Sequence, residues 1–339
     1  MFAMTAPDPK RCLVWHSAAQ FDLVREVADL AGLEIVAAGT PERGRSVAGL
    51  WGEAVRAPDD LRAAIASADG IDLVLLADPD GFGEDPADAA AIESLIRRGG
   101  KVLSFEPMPP SVQSISSGWG VSIDGTPLYA LVGFAGSARA TPVFREAFEA
   151  LDQFGLVTAF AANCTAGPAA GSLGARLMSV MELVHPIAGE PELIHASFAQ
   201  PRETRPGRDD RLYELRGTMT ANIRFADHRA ATVLVSAATE PWHRGITILG
   251  PGGRMRLWDD GFRWTGPDGS TVDEHRAELG PVGNPASHHL AASVLAVFQS
   301  GPPRMYATSV LAMAEAALLS TRTGAAESPE MLRRVAENP

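Results

Sequence analysis

The sequence predicts two α/β units in succession: an N-terminal doubly wound parallel sheet, then an α+β domain built on an open, mainly antiparallel sheet. Three observations predict it. A length of 339 residues exceeds one ordinary domain. Up to about residue 135, short apolar runs alternate with helical patterns, the βαβ signature of a parallel sheet. Beyond that point two helical stretches give way to a run of strands separated by Gly- and Asp-rich turns. The units so defined are residues 1–135 and 136–339, the second closing with helices.

Residues 11–15 make the first predicted strand. Phe21, Val24, Ala28 and Ala31 then line one helical face, and Gly32 stands where that helix would stop. Residues 33–38 (LEIVAA) and 72–77 (DLVLLA) read as strands. Asp85 and Pro86 supply an N-cap and a first-turn proline to a helix with an inner stripe of Ala89, Ile92 and Ile96, which Gly99 closes. Strands follow at 101–104 and 128–132.

In the second unit, helices are expected over 142–154 and 171–185, where Pro186 should break the chain's helical run. Strands are expected over 193–198, 212–225, 230–238, 245–249 and 254–258. The turns between them are GPGG (250–253), WDDG (258–261) and GPDG (266–269). Two helices finish the chain. One opens at Asn284-Pro285 and carries Leu290, Val294 and Phe298; the other covers 309–322.

Composition narrows the function classes. Hydrophobic residues make up 46% of the chain and charged residues 21%, enough apolar mass for sizeable cores. The formal charge is -12 and no Lys/Arg run is present, which argues against nucleic acid as a partner. Cys12 and Cys164 stand far apart without ligand spacing, so neither a disulfide framework nor a metal site is expected. The N-terminal stretch lacks the apolar block of a signal peptide, and no run is long enough to span a membrane. A cytoplasmic location is the expectation.

Four segments, in order, resemble the Gfo/Idh/MocA family of NAD(P)-dependent enzymes acting on sugars and cyclitols. DLVLLADPDGFGEDPADAAAIESLIRRGGKVLSFEP (72–107) is similar to the strand, loop, helix and strand leading into that family's Glu-Lys-Pro motif. LVGFAGSARATPVFREAFEALDQFG (131–155) is similar to its crossover between domains. RGITILGPGGRMRL (244–257) resembles its hairpin, and SVLAMAEAALLSTRTGAAESP (309–329) its final helix. The resemblance implies a Rossmann-like first domain, NAD or NADP as cofactor, and a lysine and a histidine that handle the sugar hydroxyl.

Each implied position departs from the family pattern. The glycine loop G-x-G-x-x-G, which lets a pyrophosphate approach the backbone, is matched by His16-Ser17-Ala18-Ala19-Gln20-Phe21. Ser17 and Gln20 have capping-box spacing, so this helix start is expected to satisfy its own N–H groups. If a nucleotide binds, Ser17, Ala18 and Gln20 are where its phosphates would lie, since some helix starts hold phosphate without glycine. Gly39-Thr40 replaces the ribose-binding acid, and Arg43, followed by Arg45, could hold the extra phosphate of NADP.

The lysine motif reads Ser104-Phe105-Glu106-Pro107-Met108-Pro109, with the glutamate kept and the lysine absent. On the second-domain helix, alignment on Gly189-Glu190-Pro191 puts Ala175 and Ser179 where the family has an acid and its histidine. Glu182 falls at a second acid. Arg176, Ser179 and Glu182 share a polar stripe, and His185 sits at its edge, either as a replacement base or as a helix-end residue interacting with the dipole.

Three functions follow. The first is a catalytically degenerate paralogue that serves a sugar-modifying system as partner or regulatory subunit. The second is an active NAD(P)-dependent sugar or cyclitol dehydrogenase with atypical motifs. The third is lyase or isomerase work in the same cleft by Glu106, Glu182 or His185. Under all three, Glu106, Arg176, Glu182 and His185 are expected to face one cleft holding a sugar-like molecule. The open sheet is expected to pair copies of the chain, or the chain with a related oxidoreductase.

Overall fold

The computed structural model describes residues 9–199, 211–239, 241–277, 284–301 and 307–337. The N-terminal stretch 1–8, on which the leader reading partly rests, lies outside the described residues.

The first sheet contains β1 (Lys10–Trp15), β2 (Leu33–Gly39), β3 (Leu73–Leu76), β4 (Lys101–Ser104) and β7 (Val132–Phe134). It is parallel throughout, in the order β2-β1-β3-β4-β7. The strands β5 (Ser122–Ile123) and β6 (Thr126–Pro127) form a separate small hairpin. Leu73, Val74, Leu75 and Leu76 of β3 are all buried, as a strand covered on both faces must be.

One face is covered by α1 (Phe21–Ala31) and the short α2 (Ala48–Trp51). The other is covered by α3 (Leu61–Ala66) and α4 (Pro86–Arg97). The predicted ends hold. Gly32 caps α1 in the left-handed conformation at φ 64°, and Asp85 accepts the Ala87 N–H at 2.8 Å at the start of α4. The short α5 (Val112–Ser114) follows β4.

After α6 (Pro142–Phe154), the second sheet gathers eight strands: β8 (Ala159–Thr165), β9 (Leu193–Ala199), β10 (Thr218–Arg224), β11 (Ala230–Ser236), β12 (His243–Gly250), β13 (Gly253–Trp258), β14 (Gly261–Thr265) and β15 (Thr271–Arg276). Their order is β15-β14-β13-β12-β8-β11-β10-β9, antiparallel except for β8 with β11. The fold is thus a Rossmann-like parallel sheet followed by a mainly antiparallel α+β domain. β8 was not foreseen, and residues 212–225 divide into a 3-10 turn at Leu212–Glu214 and the strand β10.

Helix α7 (Leu173–Ala188) lies against β8 and β11 and is buried at every position from Leu173 to Val184. Pro186 does not end it. The proline falls in the last turn, where it forgoes a single helical hydrogen bond, and Gly189 N closes the helix on His185 O at 2.7 Å. Among the described residues three helices, rather than two, complete the chain: α8 (Pro285–Ser300), α9 (Ala307–Thr323) and α10 (Pro329–Glu337). Helix α8 returns to the first sheet and packs on α1, while α9 packs on β9, where Ser320 Oγ accepts the Ala196 N–H at 2.9 Å.

Candidate functional site

The strand order reverses between β1 and β3, and in sheets of this kind ligands bind beyond the strand carboxyl ends at that point. A crevice of about 350 Å³ opens there. Its walls are the start of α1 (Ser17, Gln20), the ends of β3 and β4 (Asp78, Glu106), Gly171 before α7, and Arg216.

The α1 wall is closed upon itself. Ser17 and Gln20 form their capping box, with Ser17 N donating to Gln20 Oε1 at 3.1 Å. Gln20 Nε2 then ties the two domains together, donating to Ala77 O at 3.0 Å and Ala169 O at 3.2 Å. The Gln20 N–H goes to Ser17 O, and Ala18 N donates to a carboxylate from the β2 loop, Glu42 Oε1, at 3.0 Å. That bond above all, with help from the Arg45 guanidinium 2.5 Å away, holds the Glu42 carboxyl below its usual range against the opposing effect of burial.

Thr40 Oγ1 accepts the Glu42 N–H at 3.2 Å. Thr40 and the exposed Arg43 line a separate hollow of about 270 Å³ beyond β2. His16, buried at the end of β1, bonds Ser17 O through Nδ1 (2.8 Å) and accepts the Trp51 indole N–H at Nε2 (3.0 Å). Both ring nitrogens are engaged, and burial lowers the pKa.

Glu106 is the carboxylate that reaches the crevice floor. Ser172, the N-cap of α7, donates to it from N (2.6 Å) and Oγ (2.5 Å). Burial pushes Glu106 up to about 7, against the pull of Ser172, Arg216 and Arg176. Asp78 is also raised by burial, with Arg216 opposing.

Of the other candidates on α7, Ser179 and Glu182 face the domain crossover rather than the cleft. Ser179 Oγ donates to Gly136 O at 2.7 Å. Glu182 accepts from Ser137 Oγ at 2.8 Å and from Ala138 N at 3.3 Å, and burial raises its pKa. His185 is half-buried in the last turn, its pKa lowered by burial and by the charges of Arg139 and Arg333. Arg176 is buried beneath Gly171, its guanidinium 4.5 Å from the centre of the Trp242 ring. The expectation that Glu106, Arg176, Glu182 and His185 share one cleft is therefore corrected. A helix enclosed on all sides has no polar face to give a cleft, so Ser179 and Glu182 are satisfied by internal partners instead.

Sequence reasoning passed over a buried network. Arg244 donates to Asp259 Oδ1 (2.9 and 2.5 Å), Gly136 O (2.5 Å) and Ser179 Oγ (2.8 Å), and lies 3.2 Å from His289 Nδ1. Trp242 Nε1 donates to Asp259 at 2.6 Å, and its ring stacks on His289. A signal existed: Arg244 alternates with Ile246 and Ile248, the core-facing side of β12. Asp78 and Arg216 were also passed over, although Asp78 directly follows the apolar strand 72–77.

No protein-family model and no curated protein matches the chain. Solved structures do. Levoglucosan dehydrogenase, in a complex with NADH and levoglucosan, superposes with a TM-score of 0.68 at 13% identity, over 95% of this chain and 99% of the other. An oxidoreductase from Agrobacterium radiobacter, solved with NAD+, L-tartaric acid and magnesium, gives 0.65 at 16% identity over 96% and 99%. The chain has the fold of these oxidoreductases. An oxidoreductase from Thermotoga maritima, with a TM-score of 0.61 at 18% identity, covers 96% of this chain and 99% of its own. Among the described residues no three His, Cys, Asp or Glu side chains gather as metal ligands, and no helix is long and apolar enough to cross a membrane.

Proposed function

We propose that the chain is a degenerate Gfo/Idh/MocA-type protein that works without a dinucleotide, as partner or regulatory subunit of a cytoplasmic sugar-modifying system. The observation that carries this reading is the Glu42 carboxylate on Ala18 N. An anion from the chain itself takes the donor that a pyrophosphate would need, and Ser17 and Ala18 add Cβ atoms where the family has glycine. NAD and NADP do not fit this helix start as it stands.

The competing reading is an active NAD(P)-dependent sugar or cyclitol dehydrogenase with atypical motifs. It has in its favour the likeness, over nearly the whole chain, to a dehydrogenase solved with NADH. Titration calorimetry separates the two. With each of NAD(H) and NADP(H), the expected dissociation constant is weaker than about 1 mM, or about -4 kcal/mol. Low micromolar binding would restore the dehydrogenase.

The subunit role assigns a task to the open face of the second sheet. Thr232 and Leu234 on β11 and Thr247 and Leu249 on β12 point outward, with Leu234 43% and Leu249 44% exposed. Arg254 and Arg256 border them on β13. A small, partly apolar centre with a charged rim suits a second copy of the chain or a related oxidoreductase. Light scattering at micromolar concentration is expected to give a dimer, and Leu234→Glu with Leu249→Glu a monomer. A native protein that stays monomeric, and forms no complex with a related oxidoreductase mixed with it, would remove the subunit role.

A further inference from the structure

We propose that the crevice between the domains binds a sugar acid, a carboxylate-bearing polyol of monosaccharide size, and that Arg216 receives its carboxylate. The inference rests on the reading of this crevice as a sugar-sized site and names the ligand's class. Its basis is a pair of cations that, among the described residues, form no ion pair. Arg216 lines the crevice, and its Nη1 donates to backbone, to Tyr213 O (3.0 Å) and Leu215 O (3.1 Å). These bonds fix the guanidinium to its own segment.

The segment is itself anchored across the mouth of the crevice. Tyr213 OH donates to Glu84 of the first domain at 2.9 Å, and Leu173 N of α7 donates to Leu215 O at 2.9 Å. Arg216 is therefore held in place before any ligand arrives, and its fork suits bidentate contact with a carboxylate.

Below it lies Arg176, 1% exposed, with Nε and Nη2 lacking any hydrogen-bond partner. Gly171 separates that side chain from the crevice: a Cβ built on Gly171 would stand 3.0 Å from Arg176 Nη2 and 3.3 Å from Glu106 Oε1. A larger residue at 171 would wall the guanidinium off. A buried cation without a counter-charge is costly, and its field extends into the space above. Among the described residues, neither Arg176 nor Arg216 forms an ion pair.

Among the described residues, neither crevice carboxyl is in ion-pair contact with them. Both oxygens of Glu106 are taken by Ser172, and burial favours the neutral form of Glu106 and of Asp78. The groups facing Glu106 are Ser172 and Arg176 from α7, Arg216 from the segment, and Asp78 from the end of β3. When a ligand carboxylate enters, Glu106 takes up a proton, so binding tightens as the pH falls. At about 350 Å³ the crevice holds one monosaccharide.

Calorimetry on the full chain with glucuronate and galacturonate, against glucose and myo-inositol, tests this at pH 6 and pH 8. At least one acid is expected to bind more tightly than either neutral sugar, and more tightly at pH 6. Arg216→Gln should weaken that binding at least tenfold. Arg176→Met should also weaken it, while the Tm holds or rises, because the side chain gives up no hydrogen bond at Nε or Nη2. If only the neutral sugars bind, indifferent to Arg216→Gln, the sugar-acid inference falls and the sugar crevice stands. If nothing binds, both fall, whereas tight NAD(H) binding would strike the subunit reading separately.

Discussion

Arg244→Met is expected to lower the stability by about 3–5 kcal/mol, the range for removing one partner of a buried ion pair. Arg244 is 1% exposed and holds four partners at once, on β12's own sheet, on α7, on α8 and at the domain crossover. Methionine removes the guanidinium from over the Phe144 and Trp242 rings and leaves the Asp259 carboxylate with Trp242 as its remaining side-chain donor among the described residues. Urea titration should show the midpoint falling with the slope unchanged.

Two controls separate the charge from the packing. Adding Asp259→Asn to Arg244→Met should recover part of the loss, because it removes the stranded charge. The pH gives the second. Burial works against the charged Asp259, but Arg244, His289 and Trp242 outweigh it and hold its carboxyl below the usual range. A depressed carboxyl stabilises above its unfolded value, and that share is lost as the pH falls through the folded value. The gap between native protein and Arg244→Met should therefore narrow below about pH 4. A variant within about 1 kcal/mol of the native protein at pH 7 would mean that the network contributes little.

How far the sequence exposes this molecule differs between its parts. The parallel sheet is plain in it because β1, β3 and β4 are short apolar runs between capped helices, and local chemistry marks each end. Strand β8 is hidden because its sequence, AFAANCT, is rich in alanine, which favours helix. Only the neighbours β11 and β12 make it a strand, and that is tertiary information.

The site follows the same division. Ser17 with Gln20 is a local device, readable from spacing alone. Glu42 on Ala18 N joins residues 24 apart, and nothing local announces it. The α7 stripe of Arg176, Ser179 and Glu182 is real in the sequence, yet its direction was not. A helix buried all round has no solvent side from which to infer the cleft, and only the position of residues 136–138 shows where the stripe points.

Glu106→Gln is expected to stabilise the protein at pH 8 by about 3 kcal/mol, while leaving it within about 1 kcal/mol of the native protein near pH 5. Burial raises the Glu106 carboxyl from 4.5 to about 7, despite the two Ser172 bonds and the arginines nearby. Each unit is worth about 1.4 kcal/mol of preference for the neutral form. Between those two values the folded protein holds a proton that the unfolded chain has released. The contribution is thus fully present below about 4.5 and is lost as the pH rises through about 7. Glutamine presents a neutral group of the same shape: its carbonyl can accept the Ser172 N–H, and its amide can donate to Ser172 Oγ. The variant should therefore escape the loss on the alkaline side. Its pH profile would not become flat, because Glu315, accepting the Val112 N–H at 2.8 Å, is likewise raised by burial to about 7 and keeps its own share. Urea midpoints measured from pH 5 to pH 8 for both proteins would show the curves meeting at the acid end and parting above neutrality. Parallel curves, or a Glu106→Gln protein less stable at pH 8, would show that Ser172, Arg176 and Arg216 satisfy Glu106 as an anion. In that case the floor of the crevice already carries its counter-charge.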